Sequence, residues 1–174
     1  MERRFHQIMS GASGYARRVA RLSVSTIIDR SPSVVWRSIE DIASHVNWMA
    51  DAVAIRFTSA STSGVGTTFD CDTKIGPFRL TDRMEITEWV PNATMGVSHF
   101  GTVTGNGRFQ LREVGKERTE FTWEESLTFP LRMGGAVGAR FGGPVMARLW
   151  RRNLSRLKRQ VERDDQPVGR LANA

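Results

Sequence analysis

From position 53 to 129 the chain alternates apolar and polar residues, and short clusters of Gly, Pro, Asn, Ser and Thr interrupt the alternation. Successive side chains on a strand point to opposite faces, so a period of two marks half-buried strands. The alternation predicts strands at 53–57, 67–75, 79–90, 94–100, 104–114 and 119–129. The breaks between them are a Ser/Thr/Gly-rich turn at 59–66, Gly76-Pro77, Pro91-Asn92, a short break before Thr104-Gly-Asn-Gly, and Gly115-Lys116. Six strands joined by short turns predict an antiparallel meander. An earlier strand at 21–28 places Leu22, Val24 and Thr26 on one face.

Between that strand and the meander the period changes. Ser31-Pro32-Ser33 is a helix-start signal, with Ser31 suited to capping and Pro32 to the first helical position. Val34, Val35, Ile39 and Ile42 supply the buried face of a short helix, and a second short helical piece is predicted from 42 to 49, ending near Asp51. After Pro130, the segment 131–144 carries Gly134, Gly135, Gly138, Gly142 and Gly143 and predicts a flexible or broken approach, with Pro144 in the first turn of the next helix. Met146, Trp150, Leu154, Leu157 and Val161, with Leu149 beside them, then form an apolar stripe opposite a row of arginines. That pattern predicts a long amphipathic helix over 145–163. At the other end Phe5, Ile8, Met9, Ala12, Ala16 and Val19 have helical spacing weakened by Gly11 and Gly14. They read either as a loose terminal extension or as a basic amphipathic helix that touches anionic lipid. The resulting fold class is α+β: a curved antiparallel sheet around a long C-terminal helix, with a domain at 21–163, an extension at 1–20 and a tail at 164–174.

The stretches STIIDRSPSVVWRSIEDIASHVNWM (25–49), MEITEWVPN (84–92), GRFQLREVGKERTEFTWEESLTF (107–129) and GGPVMARLWRRNLSRLKRQVE (142–162) resemble the START-like, helix-grip (SRPBCC) superfamily. Within it they resemble the polyketide cyclase/dehydrase and lipid-transport group, including the P-x-x-V-W run at Pro32–Trp36. The resemblance spans about residues 20–163. It implies a deep cavity between sheet and C-terminal helix that takes lipids, polyketides, hormones or other apolar molecules, and it carries no universal catalytic set.

Composition narrows this modestly. The 174 residues suit one domain, with 40% hydrophobic and 25% charged residues. No apolar run approaches the roughly 20 residues of a membrane span. The apolar start of the chain is broken by Gln7, Ser10, Ser13, Arg17 and Arg18, unlike a secretory signal, and the single Cys71 suits a reducing compartment, so a cytoplasmic location is expected. The net charge of +7 is uneven: residues 1–22 carry +4 and residues 145–163 carry +6, whereas residues 23–144 carry −2. No groove-reading or aromatic-interleaved basic face accompanies it, so nucleic acid is not expected as a partner. Peripheral contact of the basic ends with an anionic membrane or an acidic partner is a further expectation.

Motifs for hydrolases, zinc proteases, P-loop and dinucleotide-binding proteins are absent, and no cofactor or metal is expected. Asp70-Cys71-Asp72 begins like a calcium loop but lacks the later Gly and Glu, and its acids read as a solvated strand face. The informative polar residues share a phase with apolar ones. Asp82 alternates with Leu80, Met84 and Ile86; Glu125 with Phe121, Trp123 and Leu127; His99 with Met95 and Val97. A carboxyl on a cavity-facing stripe is unfavourable by several kcal/mol unless paired or wet, so each marks a polar feature in the pocket unless a bulge shifts its phase outward. Asp82, Glu125 and His99 are therefore the candidate proton-transfer groups. The expected lining is Phe69, Asp82, Met84, His99, Phe109, Phe121, Trp123, Glu125, Met146 and Trp150, with Phe141 as a gate among its glycines. Two functions stand beside apolar-ligand binding: polyketide cyclase/dehydratase chemistry through these carboxyls, and an interaction module using the basic ends.

Overall fold

A computed structural model describes residues 20–128 and 135–164, with side chains outside Ala20, Phe78, 135–143 and Asp164. The basic N-terminal segment and the C-terminal tail lie outside the described residues. Seven strands, β1 (Ala20–Ile28), β2 (Ala52–Phe57), β3 (Thr68–Ile75), β4 (Phe78–Val90), β5 (Thr94–Phe100), β6 (Thr104–Gly115) and β7 (Arg118–Thr128), form one antiparallel sheet in the order β1-β7-β6-β5-β4-β3-β2. The meander places β2 through β7 side by side, and β1 closes the far edge on β7. The two edge strands are consecutive in the chain. Helix α1 (Pro32–Arg37) and a 3₁₀ turn (Ile42–Asn47) connect them.

The connection is built from local signals. Pro32 occupies the start of α1, where a missing N–H is harmless. Ser31 has the extended backbone of a cap, yet its hydroxyl makes no capping bond and lies 3.2 Å from the Ser33 hydroxyl. The capping side chain is instead Asp41, which accepts from the Ala43 N–H at 3.1 Å and starts the 3₁₀ turn. Val35, Trp36, Ile39, Ile42 and Trp48 from this connection are all buried against the concave face of the sheet.

The long helix, α2 (Gly135–Asp164), begins ten residues before the 145–163 expected from the sequence, and Pro144 lies inside it. A proline prefers the first turn but removes only one i→i−4 bond, so turns on its N-terminal side can remain helical. Trp150, Leu154, Leu157 and Val161 bury the expected stripe. Each such burial contributes about 1.5–3 kcal/mol. The opposite side exposes Arg148, Arg151, Arg152, Arg156, Arg159 and Arg163.

Polar contacts fix α2 at two heights. Fully buried Asn153 donates from Nδ2 to Asp51 Oδ1 at 2.6 Å and accepts from the Ala50 N–H at 3.0 Å, which ties mid-helix to the start of β2. Near the C-terminus, Lys158 donates to the Ile27 carbonyl at 2.6 Å and to Glu162 at 2.7 Å, and Glu162 accepts from the Asp29 N–H at 2.8 Å. On the outer sheet face the acids flanking Cys71 pair across strands, Asp70 with Arg83 and Asp72 with Arg56.

Candidate functional site

Between the concave sheet face and α2 lies a cavity of about 300 Å³. Apolar walls come from β3 and β4 (Phe69, Leu80, Met84, Ile86), β5 (Met95, Val97), β6 and β7 (Phe109, Trp123, Leu127) and α2 (Met146, Trp150). Trp123 and Trp150 stack with centroids 4.9 Å apart and rings inclined by 22°, joining β7 to α2 as one wall. Phe109 meets Trp123 edge-on at 5.3 Å. His45 and Ile42 of the 3₁₀ turn close a further side.

Asp82, His99 and Glu125, which share the phase of apolar neighbours, all face this cavity. No bulge turns the carboxyls outward: Asp82 is 4% and Glu125 is 7% exposed. Trp123 Nε1 donates to Glu125 Oε1 at 2.9 Å. Glu125 Oε2 lies 3.3 Å from His99 Nε2, close enough for attraction to a protonated imidazole. The two atoms are not aligned for a hydrogen bond, however, and neither has a hydrogen-bond partner among the described residues. On its other side His99 acts electrostatically on Asp82, whose Oδ1 accepts from the Val103 N–H at 3.4 Å.

Strand geometry makes the His99–Glu125 approach unusual. β5 and β7 are separated by β6, a span of about 9–10 Å at ordinary strand spacing. Across the sheet, His99 is opposite Gly105, and Glu125 is opposite Gly107. With no side chain at Gly107, β6 leaves room over which the Glu125 carboxyl reaches toward the imidazole, whereas a Cβ at Gly105 would meet the Ser126 carbonyl and Leu127 Cα of β7 instead. A Cβ at Gly107 would sit 2.7 Å from Glu125 Cδ and 2.8 Å from Oε2. Gly101 does the same for Asp82, since a Cβ there would come within 3.1 Å of its Cγ and closer still to Oδ1.

Burial pushes the Asp82 carboxyl above the usual carboxylate range, against the Val103 N–H and His99, which favour its ionised form. Asp51, another cavity residue, is likewise raised by burial despite the Asn153 hydrogen bond, and Glu125 adds repulsion. Burial raises the Cys71 thiol to about 11, which leaves it a small apolar wall residue at neutral pH. The His45 imidazole is depressed by burial to about 4, and its Nε2 lies 2.7 Å from the Ile39 carbonyl. His45 is therefore a neutral donor built into the wall.

Of the residues expected to line a pocket, Phe69, Asp82, Met84, His99, Phe109, Trp123, Glu125, Met146 and Trp150 do so. Phe121 does not. It is fully buried against Phe109, with centroids 5.2 Å apart, one pair further along β7 toward the hairpin and outside the cavity wall. Only the backbone of Phe141 is described, so the expected gate lies outside the described side chains. Sequence reasoning missed Asp51, Gly101 and Gly107. Gly107 carried a usable signal, because the period of two that turns Phe109 and Leu111 inward turns Gly107 inward as well. Asp51 carried none, since it ends a turn and only packing against Asn153 draws it inside.

A family model described as polyketide cyclase / dehydrase and lipid transport matches residues 19–162. Among solved structures, the Zhui aromatase/cyclase from Streptomyces sp. R1128 is similar with a TM-score of 0.72 at 12% identity, covering 87% of this chain and 99% of that one. A Thermus thermophilus protein superposes with a TM-score of 0.69 at 15% identity, covering 84% and 99%. A START superfamily protein from Mycobacterium smegmatis gives 0.65 at 12%, covering 82% and 97%. At such identities the likeness is one of fold. No match was found among curated proteins.

Proposed function

The chain belongs to the polyketide cyclase/dehydrase and lipid transport family, and from that premise we propose that it binds an apolar small molecule of lipid, polyketide or isoprenoid type between the sheet and α2. The observation that carries this reading is the convergence of Asp82, His99 and Glu125 on one region of a mostly apolar cavity. An apolar body gains by leaving water, and a few fixed polar groups orient it. Native mass spectrometry of the purified protein, followed by organic extraction, tests it directly. A bound apolar species released on denaturation is expected. A protein that carries no such species and takes up none from a panel of lipids and aromatic polyketides would sink the proposal.

The same cluster favours a second reading, a cyclase or dehydratase that uses these groups for proton transfer. A carboxyl held toward its neutral form by burial, as Asp82 is, suits a general acid, and a carboxyl–imidazole pair 3.3 Å apart suits proton exchange with a ligand group placed against both. Asp82→Asn and Glu125→Gln would then abolish turnover of a bound polyketide, Asp82→Asn while leaving its affinity nearly intact. Parent-like turnover in both variants ends this reading and leaves the binding one standing.

A further inference from the structure

Two unpartnered atoms at the polar end of the cavity specify what kind of group can occupy it. Glu125 Oε1 is engaged by Trp123 Nε1, whereas Oε2 has no hydrogen-bond partner among the described residues and belongs to a side chain only 7% exposed. His99 Nε2, on a side chain 10% exposed, is equally without one. An ionised carboxylate can only accept. The negative potential of a carboxyl oxygen 3.3 Å away favours the form of the imidazole with its proton on Nε2, and because that N–H does not point at the oxygen it is left to meet a ligand. The cavity therefore presents one acceptor and one donor side by side.

We propose, resting on the binding role above, that the ligand is an apolar alcohol or phenol whose hydroxyl donates to Glu125 Oε2 and accepts from His99 Nε2–H. A hydroxyl combines both functions in one atom. A carboxylate or carbonyl end group only accepts, so it leaves Glu125 Oε2 unpaired, and a carboxylate also meets the carboxyls of Asp51, Asp82 and Glu125, while the guanidinium of Arg108 on the same lining is already paired with Glu88 at 2.9 Å. An ammonium only donates and turns its hydrogens toward His99 Nε2–H. An alkyl end leaves both atoms buried and unpaired, which is unfavourable for each. Water also meets both demands, so a hydroxyl-bearing ligand gains over water through the apolar body it carries against Trp123, Trp150 and Phe109. The site thus selects against fatty-acid-type ligands even though its walls suit their chains.

Equilibrium dialysis at neutral pH with four probes on one ring system tests this: 2-naphthol, 2-methylnaphthalene, 2-naphthoate and 2-naphthylmethylamine. The expected result is 2-naphthol bound at least tenfold more tightly than each of the others. In Glu125→Gln the amide oxygen keeps the Trp123 N–H and turns an NH2 donor into the cavity, so the naphthol-to-naphthoate preference should fall at least tenfold. Binding of 2-methylnaphthalene as tight as 2-naphthol overturns the hydroxyl assignment while leaving the apolar-cavity reading in place. A preference for 2-naphthoate or for the amine also overturns the assignment. Binding of none of the four overturns both. The comparison among probes on the parent protein stands whether or not the variant folds.

Discussion

Gly107→Ala isolates the device that brings the polar cluster together. The backbone at Gly107 is outside the left-handed region, so an alanine there is conformationally allowed and by itself stabilises by about 0.4–1 kcal/mol through the unfolded chain. In this fold the new Cβ would sit 2.7 Å from Glu125 Cδ and 2.8 Å from Oε2, closer than real Cβ contacts come. Relief requires either that strands shift, about 1–3 kcal/mol for overpacking, or that Glu125 swings away and gives up the Trp123 hydrogen bond, about 1.5–3 kcal/mol for a charged acceptor. Set against the alanine gain, the single change should destabilise by about 1–2 kcal/mol. In a Glu125→Ala background the clash is gone, and Gly107→Ala should be neutral or slightly stabilising. Urea unfolding of the four proteins, followed by far-ultraviolet circular dichroism, gives the coupling directly, expected at about 2 kcal/mol. A coupling under about 0.5 kcal/mol would refute the claim that Gly107 is vacant for the Glu125 carboxyl.

Two other outcomes follow from groups at the edge of the site. Burial holds the His45 imidazole at about 4, below its unfolded value of 6.5, so the unfolded chain takes up a proton first as pH falls. Stability from this group is complete above 6.5 and declines as pH drops toward 4, by about 2 kcal/mol at about pH 5 and about 3 kcal/mol over the whole window. The raised Asp51 and Asp82 work in the opposite sense, losing stability as pH rises, so the difference between parent and His45→Gln is the quantity to follow by denaturant titration. Identical pH slopes for the two proteins would show that His45 is not held neutral. Asn153→Ala removes a fully buried amide and leaves the Ala50 N–H and Asp51 Oδ1 without their partner. A loss of about 2–4 kcal/mol is expected by thermal or denaturant unfolding, and a loss under about 0.5 kcal/mol would deny that this pin holds α2 to β2.

Local chemistry in the sequence was sufficient for the elements and for much of the cavity wall. A strand's period of two follows from backbone geometry alone, so alternation placed every strand of the meander to within two residues and turned Asp82, His99 and Glu125 toward the same face as their apolar neighbours. Spacings of three and four did the same for Trp150, Leu154, Leu157 and Val161 on α2. Local rules misplaced the start of that helix, because proline's preference for a first turn does not forbid an interior position. They also placed Phe121 on the wall, since phase gives the face of a strand but not how far along it a cavity extends. Only the tertiary structure decided which inward groups touch. His99 and Glu125 lie on strands that do not neighbour each other, and the vacancy at Gly107 on β6 between them lets the carboxyl reach across. Asp51 enters the cavity through Asn153, about a hundred residues away in sequence. Register and packing across the sheet set those distances, and no period within one strand encodes them.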